Sequence, residues 1–193
     1  MEHTTLKTMV SRCNTPTSNN FQKTLAERIV LSESVGSYDV DKFKSDIQLA
    51  LDLPLPEKFT VEWFVDFHKL ACNQVDEKVG KLRDHIGMAG MHIFPHPQIM
   101  TKFFDVFIEE LNSVDPMDWN VKWASMAAMK LMAIHPFSYA NGITAKILFV
   151  KLSGVRTALD FDRQEYVTPL IRSDPDGFYQ YCLKNAIYNR CDN

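Results

Sequence analysis

The chain has no C-x-x-C pair, no apolar run long enough to cross a bilayer, and no basic patch interleaved with aromatic residues. Each absence removes a class of function. Cys13, Cys72, Cys182 and Cys191 are scattered, and Cys72 and Cys182 fall on apolar faces, so buried free thiols in a reducing compartment are expected rather than a disulfide framework. A zinc site combining the cysteines with His68 has no recognised ligand spacing, and the set His85, His92 and His96 in a glycine-rich loop has none either, so no metal site is assigned. The formal net charge of −3 gives polyanions no long-range attraction, which sets nucleic-acid binding aside. The opening MEHTTLKTMVSRCNTPTSNN lacks the apolar centre of a signal peptide. A cytoplasmic protein is therefore expected, although an effector delivered into a host cell by another export signal would read the same. Internal repeats and low-complexity tracts are missing too.

Of the 193 residues, 46% are apolar, including 13 Phe and 9 Met. That is enough to bury a core and is inconsistent with a disordered chain. Residues 1–20, rich in Thr, Ser and Asn around Pro16, are expected to form a poorly ordered arm, and 21–193 a single domain. Apolar spacing predicts helices over about 21–30, 39–51, 60–70, 99–111, 117–134, 143–152 and 174–187. In the stretch 117–134 apolar residues run nearly all round, which places that helix in the middle of a bundle. His68, on the inner face of 60–70, is expected to be a core histidine with one hydrogen-bonded nitrogen. Gly154 is the expected cap after 143–152. Between residues 80 and 96 the pattern changes. Gly87 and Gly90 loosen the backbone while Met88, Gly90, His92 and Phe94 alternate, predicting one small β-hairpin whose edge could take up an extended peptide. The fold class is thus all-α, a bundle of about seven helices with one small hairpin.

The most informative stretch is KLMAIHPFSYANGITAKILFVKL, residues 130–152. An apolar run ends at His135, and Pro136 both breaks the helix and drives His135 out of α geometry. Asn141-Gly142 then predicts a tight turn into a second helix whose first N–H groups lack internal acceptors and whose dipole favours anions. A titratable imidazole beside an anion site suits phosphoryl or nucleotidyl transfer, with His135 accepting a proton from an attacking hydroxyl. A helix end and an ordinary turn would be written with the same residues.

His135-Pro136-Phe137, two further residues, Ala140-Asn141-Gly142 and then Lys146 resemble the signature loop of Fic domains, H-P-F-x-(D/E)-G-N-G-R-x-x-R. Upstream, Gly80-Lys81-Leu82-Arg83, Gly87, Gly90 and Phe94-Pro95-His96-Pro97 are similar to that family's G-x-x-R stretch, hairpin flap and F-x-P-P-like helix entry, and Phe59 to Leu70 to the preceding helix. The resemblance spans about residues 58–186. It implies a Fic-like helical bundle that transfers AMP from ATP to a hydroxyl of a target protein. In that scheme His135 is the base, Ala140, Asn141 and Gly142 line the phosphate site, Lys146 is the remaining cation, and the flap residues Gly90, Met91, His92 and Ile93 dock the target. Family members with Ala-Asn at the Gly-Asn positions include phosphorylating toxins and a phosphocholine-transferring effector, so the resemblance does not fix the group moved. Many Fic proteins also carry an inhibitory (S/T)-x-x-x-E-(G/N) helix. Neither Glu27 nor Glu33 gives a clean match, and an exposed glutamate is the favoured identity of both.

The chain departs from the signature at three positions. Tyr139 stands at the acidic position, Ile143 at the first arginine and Lys146 at the second. A phenol is neutral near pH 7 and a poor ligand for a hard cation, so magnesium is not expected to be held as in the family. Isoleucine supplies no charge, and lysine lacks the fork that grips two phosphate oxygens. Treated as electrostatic deletions, the metal and clamp losses cost about 3 kcal/mol each in transition-state stabilisation, roughly a hundredfold apiece. Two functions are consistent with these residues. One is a diverged Fic-type transferase moving AMP or another phosphate-containing group from ATP or another nucleotide donor to a protein hydroxyl. The other is a catalytically inactive Fic-fold protein that binds a nucleotide or a partner protein.

Overall fold

Short polar side chains decide where most of the helices begin. The computed structural model describes residues 26, 39–72, 79–89, 91–153, 157–159 and 174–188, the backbone alone at 157–159 and 183–188. Helix α1 (Val40–Asp52) starts after Asp39, whose carboxylate accepts from the N–H groups of Asp41 and Lys42 at 3.1 and 3.2 Å. Thr60 does the same for α2 (Val61–Cys72), accepting from the Trp63 amide at 3.1 Å. The hairpin strands β1 (Met88–Ala89) and β2 (His92–Ile93) pair antiparallel, Met88 opposite Ile93 and Ala89 opposite His92. His96 caps α3 (Pro97–Ser113), and Pro97 sits where a missing N–H costs nothing. A 3-10 turn over Pro116–Asp118 precedes α4 (Val121–Ile134), which Asn120 caps at 3.0 Å from the Trp123 amide. Helix α5 (Asn141–Ser153), strand β3 (Thr157–Leu159), helix α6 (Pro175–Asn185) and strand β4 (Ala186–Tyr188) complete the described elements, with β3 and β4 paired antiparallel.

The fold is mostly helical and α4 with α5 forms its centre. On α4, Ala124, Ser125, Ala127 and Ala128 are buried, and their small size lets the neighbouring backbone come close. Helix α5 has buried residues on every side, as expected of a helix with no solvent face. Helices α1 and α2 pack on each other and on α5, while α3 and α6 pack on α4. Phe43, Phe64, Phe67, Phe104, Phe137, Phe149 and Phe178 are fully buried in the resulting core, each worth about 2–3 kcal/mol by burial of its ring. Two polar ties lock the assembly. Asn112 pairs with the backbone of Phe59 through both ends of its amide, at 2.7 and 2.9 Å. Lys151 donates to the carbonyls of Leu51, at 2.8 Å, and of Leu53, closing the C-terminus of α1. Burial lowers the Lys151 ammonium to about 8, with the Asp52 charge opposing.

Several expectations shift. The predicted helix 117–134 is a 3-10 turn and a later α-helix, because Asn120 takes the cap and restarts the ladder. Helix α3 begins two residues before Ile99, at Pro97. Helix α5 begins at Asn141, not Ile143. The last helix stops at Asn185, and the following residues form β4, so a second two-stranded pair joins the single hairpin expected. The N-terminal arm, most of the 21–30 helix, Glu27, Glu33 and the Gly154 cap lie outside the described residues. Ala26 is helical and buried.

Candidate functional site

His135 closes α4 in the left-handed region, φ 52° and ψ 58°, with its N–H still bonded to the Leu131 carbonyl at 3.0 Å. The next residue is proline, which forbids continuation of the helix, and the left-handed step swings the imidazole off the helix axis. The ring lies flat against Phe94 of the flap, centroids 3.7 Å apart and planes 11° apart. Its Nδ1 faces the Met132 carbonyl at 3.4 Å, and a carbonyl can only accept, so the proton sits on Nδ1 and the lone pair on Nε2. Burial lowers the His135 pKa to about 4, the Met132 bond opposing and the charges of Arg83 and His92 adding. The ring is therefore neutral at pH 7, in the form that can take a proton.

The loop from His135 to Asn141 is defined by where its carbonyls go. Arg83 is 2% exposed. Its Nε donates to the His135 carbonyl at 2.6 Å, its Nη2 to Ile134 at 3.4 Å, and its backbone N–H to Pro136 at 2.9 Å. The Asn141 amide spans the loop, its Oδ1 accepting from Phe137 N–H at 3.0 Å and its Nδ2 donating to the Phe137 carbonyl at 2.8 Å. His68 donates from Nε2 to the Tyr139 carbonyl at 3.0 Å. The Ala140 carbonyl accepts from the Thr144 N–H and hydroxyl at 3.0 and 2.9 Å. In a trans peptide the carbonyl and the following N–H point in opposite directions. Turning the carbonyls inward thus presents the Ser138 and Ala140 amides the other way, in the residues that lead into the first turn of α5. Ala140 itself, at φ 55°, has no side-chain oxygen with which to cap them. A cluster of amides at a helix N-terminus, near a neutral imidazole, can hold an anion such as a phosphate.

The flap is tied to this loop by the same guanidinium. Arg83 Nη1 donates to the His85 carbonyl at 2.8 Å and Nη2 to Pro95 at 2.5 Å, so one side chain bridges both ends of the hairpin to the end of α4. Leu82 and Phe137 add an isolated β-bridge, and the Phe94 amide bonds the Gly87 carbonyl at 3.0 Å. The outer flap is apolar and open to solvent: Met88, Met91 and Ile93 are 64%, 99% and 63% exposed.

The sequence-predicted residues take distinct places. His135, Ala140, Asn141 and Gly142 come together at the junction of α4 and α5. Asn141, 1% exposed, spends its side chain on the Phe137 backbone and shapes the loop from within. The tight turn expected of Asn141-Gly142 falls on Ala140 instead, and Asn141 and Gly142 are already helical. Lys146 is buried at 1% exposure within the central helix, and Ile143 belongs to the core. Tyr139 is 45% exposed at the loop surface. Met91, His92 and Ile93 form the flap tip and second strand, whereas Gly90 lies outside the described residues. His96 is a helix cap and His85 pairs with Asp84 at 3.1 Å. Around Tyr139 the donor set does not fit a divalent cation: a phenol stands where the signature has a carboxylate, and among the described residues no three His, Cys, Asp or Glu side chains could share an ion. At the sequence level His68 is a core histidine with one bonded nitrogen, and Arg83 and Phe94 figure only within the stretches that carry the resemblance, so the ties these three make to the loop are new. The available sign for Arg83 was its place in the Gly80-Lys81-Leu82-Arg83 stretch that precedes the hairpin.

Residues 58–153 match the sequence profile of the Fic/DOC family, and the chain carries a Fic/DOC family domain. The protein adenylyltransferase Fic of Aedes aegypti is 33% identical over 91 residues, 46% of this chain and 18% of that protein. Its namesake from Nematostella vectensis is 28% identical over 94 residues, 48% of this chain and 22% of that protein. The chain thus spans about a fifth of the length of these curated relatives. Among solved structures, a Fic domain containing signaling protein from Bacteroides thetaiotaomicron superposes with a TM-score of 0.65 at 14% identity, covering 94% of this chain and 92% of that one. BepC from Bartonella tribocorum with bound AMPPNP superposes with a TM-score of 0.64 at 15% identity, covering 86% and 88%. These superpositions establish a Fic-like fold. No described helix is long and apolar enough to cross a membrane.

Proposed function

We propose that this chain is a diverged Fic-type transferase that grips the phosphates of a nucleotide donor with backbone amides and moves a phosphate-containing group to a hydroxyl of a target protein. The observation that carries the reading is the loop itself: the His135, Phe137 and Tyr139 carbonyls each take a side-chain donor, which by peptide geometry leaves the Ser138 and Ala140 amides facing away from those donors, and the loop starts at a histidine neutral at pH 7. The target hydroxyl gives its proton to His135 Nε2 as its oxygen attacks a donor phosphorus, and the leaving phosphate departs with its bonding electrons. The amides of Ser138, Ala140 and the start of α5 hold the anionic oxygens while charge shifts among them. No metal enters this scheme. Tyr139 and Ile143 replace the acid and first arginine of the signature that the loop resembles, and Lys146 replaces the second, so the amides carry more of the phosphate charge than in that signature. Met91, His92 and Ile93, on a flap stacked to His135 through Phe94, are the surface on which an extended segment of the target docks.

The same three substitutions favour a second reading, phosphate or partner binding without turnover. One experiment separates the two. The purified chain is incubated with a panel of nucleotide donors, with and without magnesium, and intact mass is measured on the chain and on candidate partners. Transfer predicts a discrete mass increase that His135→Ala abolishes. Equal labelling by that variant would falsify the base assignment, and nucleotide affinity with no adduct on any donor leaves binding alone.

A further inference from the structure

We infer that His68, on α2 and remote in sequence from the signature loop, is a positioning residue that aims the phosphate-holding amides. The inference rests on the proposed nucleotide reading for what those amides hold, and on geometry for how His68 acts. The ring is 1% exposed and both of its nitrogens are used. Gly80, in the left-handed region at φ 75°, points its N–H at His68 Nδ1, 3.0 Å away. A Cβ on residue 80 would fall 2.2 Å from the Lys69 side chain, so glycine is required there. With Nδ1 accepting, the ring proton is confined to Nε2, which can only donate, and it donates to the Tyr139 carbonyl at 3.0 Å. The ring also stacks on Phe137, centroids 3.9 Å apart and planes 12° apart. One side chain therefore fixes the tautomer, the ring plane and the acceptor.

The acceptor matters because Tyr139 and Ala140 share a peptide. Holding the Tyr139 carbonyl toward His68 turns the Ala140 amide to the opposite side, at the residue that precedes α5. The Asn141 Nδ2 contact to the same carbonyl is longer, 3.5 Å, so His68 is the principal anchor. Ala140 sits at φ 55°, a region that alanine does not enter unaided, and a fixed neighbouring peptide is what such a residue needs. Without the anchor the 139–140 peptide is free to flip, and the site exchanges an N–H for a carbonyl oxygen facing the phosphate.

The test uses the full chain and two variants in two-dimensional 15N NMR, with ADP as probe. His68→Phe keeps the ring and its stacking but donates nothing, whereas His68→Gln places an amide donor near the Nε2 position. Without ligand, the Ala140 amide resonance is expected to move in His68→Phe and to return toward its wild-type position in His68→Gln. On titration, ADP affinity falls at least tenfold in His68→Phe and recovers in His68→Gln, with thermal melting confirming that both are folded. An unmoved Ala140 resonance in folded His68→Phe overturns the inference. If the wild type does not bind ADP, the nucleotide reading fails on its own, and the ligand-free comparison still decides the role of His68. Should His68→Phe fail to fold, a His68→Gln variant with wild-type Ala140 shift and ADP affinity supports the anchor, and loss of both in a folded His68→Gln counts against it.

Discussion

Replacing Arg83 by methionine removes a side chain that joins the end of α4 to both ends of the flap. Arg83 makes three short bonds, to the carbonyls of His135 at 2.6 Å, His85 at 2.8 Å and Pro95 at 2.5 Å, and a longer one to Ile134 at 3.4 Å. Bonds from a charged donor contribute about 1.5–3 kcal/mol each, and orphaned carbonyls recover part of that only where water can reach them. The His85 carbonyl lies near solvent on an exposed residue, while those of Ile134 and Pro95 lie under buried and half-buried residues. A net loss of about 4 kcal/mol follows, which for a chain of this size lowers the melting temperature by roughly 10 °C. Arg83→Lys keeps the charge but gathers its donors at one point, so it holds about one of the three short bonds and loses roughly 2–3 kcal/mol. Thermal unfolding followed by circular dichroism reads both. If Arg83→Met melts within about 2 °C of wild type, the guanidinium is not the tie between loop and flap.

Asn141→Ala strips both hydrogen bonds from a buried stretch of Phe137 backbone and should cost about 2–3 kcal/mol in urea unfolding. A loss below about 0.5 kcal/mol would mean water replaces the amide. Ala140→Gly relieves left-handed strain of about 1–2 kcal/mol but adds about 0.5–1 kcal/mol of unfolded-chain entropy, so it should be neutral to mildly stabilising. A clearly lower urea midpoint would refute strain at that residue. His68 titrates near 6.5 when unfolded and at about 4 when folded, chiefly because burial disfavours the imidazolium. Between those values the unfolded state binds more protons, so its contribution is intact above pH 6.5 and is lost as pH falls toward 4. Unfolding free energy should drop by about 2 kcal/mol on this account between pH 7.5 and pH 5, and His68→Gln should remove that part of the slope.

How much of this was legible in the sequence differs by residue. His135-Pro136 marks a helix end because proline cannot continue the ladder, and the structure puts His135 there in left-handed geometry. The α4–α5 pair could be read from runs of apolar and small residues without a polar face. The left-handed residue could not be read, because preference favours Asn or Gly while the tertiary ties of Asn141 and His68 impose the turn on Ala140. His68 read as a core histidine with one bonded nitrogen. Its second bond joins residues 68 and 139, and no local pattern encodes such a contact. Arg83 is similar: its acceptors are backbone carbonyls, which every sequence offers everywhere. The β3–β4 pair was missed because the two strands are three residues each and far apart in the chain.

Isothermal titration of ADP into the full chain in buffer containing EDTA tests the amide-lined loop most directly. Measurable affinity that magnesium leaves unchanged, and that phosphate competes away, is the predicted outcome. No heat of binding without magnesium, or binding that survives disruption of the loop by Asn141→Ala, would show that the amides beside His135 do not hold the phosphates.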